Sequence, residues 1–185
     1  ALAPLIYPPG VGGGNLRVEA AASPSTPSAE LTAAELSAVL DAAIDRTGAL
    51  AFPGERVLDD APLPAGNDRG ASDLDDVVVE IVDLPGDLLG RAVGDSVIQV
   101  DINAAGYGWF VDTTPWDDTE FEPLDGTGEL VALSDSVAAH RADLLTTVIH
   151  ELGHLLGYAH QDEGPLQASL PLGMRRLWFD FDAGL

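Results

Sequence analysis

Three of the four histidines in this chain fall within one eleven-residue stretch, His150-Glu-Leu-Gly-His-Leu-Leu-Gly-Tyr-Ala-His160. In a helix, residues i and i+4 share a face, so His150 and His154 are expected to point towards a common position. Two imidazoles that converge in this way can bind one zinc ion, with Glu151 beside them as a general base. The spacing therefore predicts a metal centre of the hydrolytic kind.

Gly157 indicates how a third ligand reaches the same position. Glycine adopts the left-handed backbone conformation that ends a helix at little steric cost. The chain can then turn back and bring His160 to the metal as a third nitrogen ligand. Three protein ligands leave a fourth position for water, which is typical of catalytic zinc. The remaining histidine, His140, is interpreted as a solvated side chain near the start of the helix.

The chemistry expected of this set is hydrolysis of a peptide bond by a zinc-activated water. Glu151 would accept the proton of that water and pass it to the leaving amine. Two other interpretations stay open. The chain can be a catalytically silent, zinc-containing adhesion or binding module of a larger secreted protein, or a precursor whose amino-terminal arm is removed by cleavage.

The extended motif resembles the signature of the metzincin clan of zinc endopeptidases, most specifically over residues 143–160. The resemblance implies an α+β fold with a small mixed twisted sheet, a backing helix, an active-site helix and a minimal carboxy-terminal subdomain. The stretches 84–90 (LPGDLLG) and 104–112 (AAGYGWFVD) are similar to metallopeptidase-like modules in large secreted bacterial proteins. A protein or peptide substrate and an extracellular location are therefore expected.

Further site residues are implied by the same resemblance. Members of the clan carry a methionine in a turn beneath the zinc, and Met174 is the candidate here, with Leu166 as the alternative occupant. In the clan, a sheet-edge strand above the cleft pairs with an extended substrate, and the resemblance places that role on residues 106–111. The alternative for this segment is a core strand whose aromatic side chains pack inside the protein. The substrate-binding candidates are Tyr107, Gly108, Trp109 and Phe110.

Composition narrows the classes of partner. The 185 residues include 31 acidic and 8 basic residues, for a net charge of −23. Such a charge repels nucleic acid and anionic membranes, and no apolar run approaches the ~18 residues of a membrane span. It favours cations, so calcium is a second candidate cofactor. The acidic loop from Asp112 to Gly126 is interpreted as solvated, with a calcium site as the alternative. The chain contains no cysteine, which excludes disulfides.

Two regions are expected along the chain. Residues 1–29 are rich in Pro, Gly and Ser, and are interpreted as a linker or amino-terminal arm, in which Leu5-Ile-Tyr7 and Leu16-Arg-Val18 could add a short strand or pack on the domain. An inhibitory position of this arm across the cleft stays open beside a plain linker. Residues 30–185 form the expected zinc metallopeptidase domain. We expect a monomer or a part of a larger multidomain chain.

Local patterns predict the elements that position the site. Thr32 and Glu35 form a capping box that starts an amphipathic helix, and Gly48 is a suitable stop. Asp143 can cap the zinc helix, whose broad apolar face anchors it in the core. Arg175 and Arg176 are expected to pair with acidic neighbours, with binding of a substrate carboxylate as the alternative. Strands are predicted at 77–83 (buried), 96–102 and 106–111.

Overall fold

The computed structural model describes residues 15–20, 24, 28–48, 74, 76–124, 129–158, 160 and 166–177. Over these residues the chain is an α+β protein with two helices and three sheets, which confirms the predicted fold class. No helix in this part of the chain is both long enough and apolar enough to cross a bilayer. The candidate strand at residues 5–7 and the end of the acidic loop at Asp125 and Gly126 lie outside the described residues.

The element bounds are as follows. The helices are α1 (Ala33–Gly48) and α2 (Leu144–Leu155). The strands, in chain order, are β1 (Asn15–Glu19), β2 (Val78–Val82), β3 (Leu88–Val93), β4 (Val97–Asp101), β5 (Trp109–Phe110), β6 (Phe121–Pro123), β7 (Leu130–Ala132), β8 (Ala142–Asp143), β9 (Ser169–Pro171) and β10 (Met174–Arg175).

The main sheet is mixed and has five strands in the order β2-β4-β3-β1-β9. Strand β4 runs parallel to β2 and antiparallel to β3, while β1 runs antiparallel to β3 and parallel to β9. Helix α2 lies against β3, β4 and β1. The helix that carries the histidine motif is therefore supported by the centre of this sheet.

Strand β1 comes from the segment that was interpreted as linker or arm. The short strand left open at Leu16-Arg-Val18 is formed, and it lies inside the sheet between β3 and β9. Leu16 is 1% exposed and joins the hydrophobic core. The sheet of the domain thus includes residues from before position 30.

Three strand predictions need correction. Strand β2 was expected to be buried, but it lies at the edge of the sheet and Val78 is 53% exposed. A β-branched run fits a half-exposed edge strand as well as a buried one. Strand β3 was not predicted at all, although it pairs with both β4 and β1. The strand expected at 106–111 is reduced to Trp109–Phe110, because residues 104–107 form turns.

Helix α1 begins and ends as predicted. The Thr32 backbone N–H donates to Glu35 Oε2 over 2.9 Å, and the Thr32 hydroxyl donates to the same oxygen over 2.7 Å. The Glu35 N–H donates in return to Thr32 Oγ1 at 3.4 Å, which completes the capping box. Val39, Ala42 and Ala43 are fully buried, and α1 packs against α2. Helix α1 thus directly supports α2, the helix that carries His150 and His154.

Candidate metal centre

Asp143 fixes the start of helix α2. Its carboxylate accepts hydrogen bonds from the Thr146 backbone N–H at 3.1 Å and from the Thr146 hydroxyl at 2.6 Å, so it is the N-cap that the sequence predicted. Every residue of α2 is buried. A helix that is buried all round is held by packing along its whole length, which gives metal ligands a fixed geometry.

Arg175 anchors the same capping residue from the second sheet. Its guanidinium donates to Asp143 twice, over 3.0 and 2.9 Å, and lies 2.8 Å from Asp112 and 2.9 Å from Asp118. Burial alone would lower the pKa of Arg175, but the charge of Asp143 and the hydrogen bonds to the carboxylates raise it above its ordinary value. Arg175 therefore remains a cation, and pairing with acidic neighbours is confirmed.

The acidic loop contributes to this anchor. Asp112 is 2% exposed and its carboxylate faces Arg175, so the interpretation of a solvated loop is wrong at this residue. The guanidinium carbon also lies 4.2 Å from the ring centroid of Phe121. Arg176 pairs with Glu129, again as expected. Calcium binding by the rest of the loop stays a prediction.

The three histidines of the motif form one cluster. Their nearest ring nitrogens all lie within 4.8 Å of one another. The Nε2 atoms of His150 and His154 are 2.9 Å apart, and the ring centroid of His160 is 5.3 Å from that of His150 and 4.7 Å from that of His154. The three side chains are therefore close enough together to hold one metal ion.

The protonation state of the histidines suits a cation. His154 Nδ1 lies 2.7 Å from the carbonyl oxygen of Tyr158, which accepts a hydrogen bond from the protonated Nδ1, so that Nε2 carries the lone pair a metal ligand needs. Burial lowers the pKa of His154, against the effect of the Tyr158 carbonyl, and partial burial lowers the pKa of His160. Neutral imidazoles are the form that binds metal.

Gly157 ends helix α2 in the expected way. Its φ is +92°, and its N–H donates to the carbonyl of His154 at 3.0 Å, while the Tyr158 N–H donates to that of Gly153 at 3.0 Å. These two bonds define a Schellman motif, which reverses the chain direction at a helix end. The reversal brings His160 beside the other two histidines. Exposure rises from 0% at His150 to 8% at His154, and His160 is exposed, so the cluster opens to solvent on that side.

Glu151 points towards the sheet and is 0% exposed. Its Oε1 accepts a hydrogen bond from the Leu16 backbone N–H at 3.2 Å. Burial raises the pKa of Glu151 well above the ordinary 4.5, although the N–H groups of Leu16 and Ala92 donate to it and oppose the rise. Its Oε2 is buried and has no hydrogen-bond partner among the residues that the structure describes. Burial therefore favours the protonated, neutral form of the Glu151 carboxyl group.

Gly90 makes room for this carboxylate. A Cβ at this position of β3 would lie 3.0 Å from Thr147 Cγ2 and 3.1 Å from both Cγ and Oε1 of Glu151. Helix α2 and β3 approach each other this closely because Gly90 has no side chain. Sequence reasoning gave Gly90 no role, yet a glycine inside a strand is a known signal of close backbone approach.

The other predicted site residues lie elsewhere. Trp109 and Phe110 are each 4% exposed and belong to the two-stranded sheet β5-β8, so their side chains pack as the alternative interpretation expected. The strand beside Glu151 is β3 instead. Tyr107 is half-buried, and the backbone of Gly108 has a φ of +86°. His140 is exposed and lies outside the histidine cluster.

The two candidates for the turn beneath the metal differ in burial. Met174 is half-buried in β10, where it pairs with Val131 of β7. Leu166 is 0% exposed but does not join the main hydrophobic core, against which Met174 packs. Burial does not decide between the two, and the residue in the turn beneath the metal stays a prediction.

Sequence reasoning also missed the partners that the two chain segments beside α2 provide. The Leu16 amide binds Glu151, and the Tyr158 carbonyl orients His154. The sequence signal for Tyr158 is its position directly after Gly157, at the end of a Schellman motif.

Comparisons with protein-family models, with curated proteins and with solved structures find no significant match to this chain.

Proposed function

We propose that this chain is a zinc-dependent endopeptidase. The observation that carries the proposal is the cluster of His150, His154 and His160, the first two of which lie on a helix that also carries the buried Glu151 directly after His150. Three imidazoles suit zinc, and the absence of thiolates from the cluster fits a catalytic site better than most structural zinc sites. When bound, zinc supplies a Lewis acid that polarises a carbonyl group and lowers the pKa of water to about 7.

Glu151 is proposed to move the proton. Burial raises the pKa of Glu151, so its carboxylate takes up a proton more readily than an exposed carboxylate does. Oε1 is held by a backbone amide, while Oε2 is the oxygen left to accept the proton of an attacking water. The same oxygen can then give that proton to the leaving amine.

The substrate is proposed to be an extended peptide that pairs with β3 in place of β1, since β4 and β1 occupy the two sides of β3 in this structure. Strand β3, rather than residues 106–111, lies beside Glu151. Backbone pairing at a sheet edge recognises a peptide largely independently of its sequence, and side-chain pockets add selectivity. We also propose that the chain is related to the metzincin clan and acts outside the cell, because its motif at 150–160 resembles the signature of that clan.

A second candidate function is a silent zinc-containing binding module. One observation favours it: β1 covers Glu151, whose carboxylate is fully buried. A base without access to water cannot act. The two candidates differ in whether the zinc-loaded chain ever cleaves a peptide.

The test uses metal removal and return. Zinc-loaded full-length protein is incubated with a broad library of peptides, then again after chelation and after zinc is restored. The proposal predicts cleavage that is lost with the metal and recovered with it. His154→Ala should lower zinc content and cleavage, whereas the exposed His140→Ala should change neither. Full zinc occupancy without cleavage of any peptide, including by the opened variants described below, would favour the silent module.

A further inference from the structure

Strand β1 lies between β3 and β9, which are not paired with each other in the main sheet. We call the space that β1 occupies between these two strands the slot. Strand β1 pairs with β3 on one side, antiparallel, and with β9 on the other side, parallel. Within the described residues, β9 has no other strand partner. Without β1, the edges of β3 and β9 would both be free to pair with another extended chain.

The amide groups of β1 alternate between the two sides of the slot. The Val18 N–H donates to the Asp87 carbonyl at 2.8 Å on the side of β3, and the Arg17 N–H donates to the Ala168 carbonyl at 3.0 Å on the side of β9. The register between β1 and β3 is interrupted between Leu16 and Arg17. At this irregularity the Leu16 N–H meets Glu151 Oε1 instead of a strand carbonyl.

Successive side chains of β1 point to opposite faces of the sheet. Leu16 and Val18 point into the protein, with 1% and 8% exposure, while Arg17 and Glu19 are exposed. The slot therefore accepts an extended segment with apolar side chains two residues apart. Backbone bonds provide the rest of the recognition, so a peptide of other sequence but similar pattern would fit as well.

The segment after β1 covers a second part of the domain. Pro24 lies against Gly106 and Ser28 against Gly108. A Cβ added to Gly106 would come within 2.8 Å of the Pro24 ring, and one added to Gly108 would lie 3.1 Å from the Ser28 Cβ. The Ser28 hydroxyl also donates to the Asn103 carbonyl at 3.1 Å. The segment that the resemblance assigned to substrate is thus covered by the same arm of the chain.

We propose that β1 is an internal occupant of the peptide-binding slot and keeps the site closed until it is displaced. This inference rests on the proposed function. While β1 is docked, an extended peptide cannot pair with β3, and the Leu16 amide holds the carboxylate that would act as base. Displacement of β1 opens the slot and releases Glu151 in one step.

The first test measures displacement without using catalysis. Because the chain contains no cysteine, Val18→Cys introduces a single reporter thiol at a buried position of β1. Arg17→Cys is the matched control at an exposed position of the same strand. The folded Val18→Cys protein should react with a thiol reagent much more slowly than Arg17→Cys. A synthetic peptide with the sequence of residues 13–21 should accelerate labelling of Val18→Cys, whereas a scrambled peptide should not.

The second test measures the effect on turnover. Leu16→Ala removes most of a buried side chain and should shift β1 towards the displaced state, raising kcat/KM for peptide cleavage by about tenfold or more. Arg17→Ala should behave as wild type. Zinc content and circular dichroism should be unchanged in both variants.

The outcomes separate the two proposals. If Val18→Cys reacts only under conditions that unfold the whole chain, with or without peptide, β1 is a permanent strand and the inference is overturned. The same conclusion follows if Leu16→Ala is folded and accelerates labelling but cleaves no faster than an active wild type. If labelling responds to the peptide while neither protein cleaves any substrate, β1 does occupy a binding slot and the proposed peptidase function is wrong.

Discussion

The contact between β3 and α2 provides a sharp prediction at Gly90. The substitution Gly90→Ala places a methyl group 3.0 Å from Thr147 Cγ2 and 3.1 Å from Glu151 Cγ and Oε1. Neither neighbour can move away freely. The Thr147 hydroxyl donates to the Asp143 carbonyl at 3.0 Å, and the Glu151 carboxylate is held by amides of β1 and β3. The helix itself is fixed at its start by the pairing of Asp143 with Arg175.

The expected loss of stability in Gly90→Ala comes from overpacking alone. Gly90 is not among the residues with positive φ, so alanine adds no backbone strain. Insertion of a methyl group into a packed interior costs about 1–3 kcal/mol of unfolding free energy. For a chain of this size each kcal/mol lowers Tm by about 2–4 °C, so a fall of roughly 2–12 °C is expected. Zinc affinity and peptide cleavage should fall as well, because the same shift displaces the helix that carries the ligands.

Thermal unfolding of the wild type, Gly90→Ala, Thr147→Ser and the double variant tests this reasoning. Thr147→Ser removes the nearest methyl group but keeps the hydroxyl, so the double variant Gly90→Ala/Thr147→Ser should recover part of the Tm that Gly90→Ala loses. The single Thr147→Ser variant and the wild type complete the cycle. An unchanged Tm in Gly90→Ala, or a double variant at least as unstable as the sum of its single changes, would show that close packing at Gly90 does not hold α2 in place.

Three further predictions concern the surroundings of the site. Since the pKa values of His154 and His160 lie below the ordinary 6.5, both stay neutral above that pH. Zinc affinity, measured by competition titration, should be constant above about pH 6.5 and fall as protons compete below it; a decline that begins well above this pH would contradict the assignment. Arg175→Met leaves Asp112 and Asp143 buried without their cation and should cost about 3–5 kcal/mol in denaturant unfolding. Loss of the exposed pair with Asp87 in Arg17→Met should cost only about 0–1 kcal/mol, and equal costs would refute the anchoring role of Arg175. Leu166→Asp should lower Tm and zinc affinity more than Met174→Asp, because Leu166 is completely buried, while Met174→Leu should be tolerated. A larger effect of Met174→Asp than of Leu166→Asp would favour Met174 as the residue in the turn beneath the metal.

Features set by neighbouring residues could be predicted from the sequence. The spacing of His150 and His154, the helix-ending Gly157 and the N-cap Asp143 each depend on a few consecutive residues. The structure forms the helix and its caps, and brings His160 to the other two histidines. The pairing of Arg175 followed from the large acidic excess, although its three carboxylate partners did not.

Features that depend on distant pairing could not be predicted. A short strand at Leu16-Arg-Val18 was left open, but its place between β3 and β9 could not be predicted, because the segment has a linker-like composition and β9 follows about 150 residues later. Strand β3 is interrupted by Gly90 and Arg91, which obscures its apolar pattern. The edge position of β2 depends on which strand pairs with it, and periodicity does not contain that information. The contact of Leu16 with Glu151 was hidden for the same reason.

The ratio of cleavage rates between the zinc-loaded protein and its Glu151→Gln variant tests the central claim most directly. Both proteins keep His150, His154 and His160, so elemental analysis should find equal zinc contents. Measurement in the Leu16→Ala background prevents β1 from limiting the rate, and the exposed Glu122→Gln is the matched control. Loss of the base predicts a fall in kcat/KM of about 10²–10⁴-fold. Equal rates for the two proteins, or no cleavage by either at full zinc occupancy, would contradict the account.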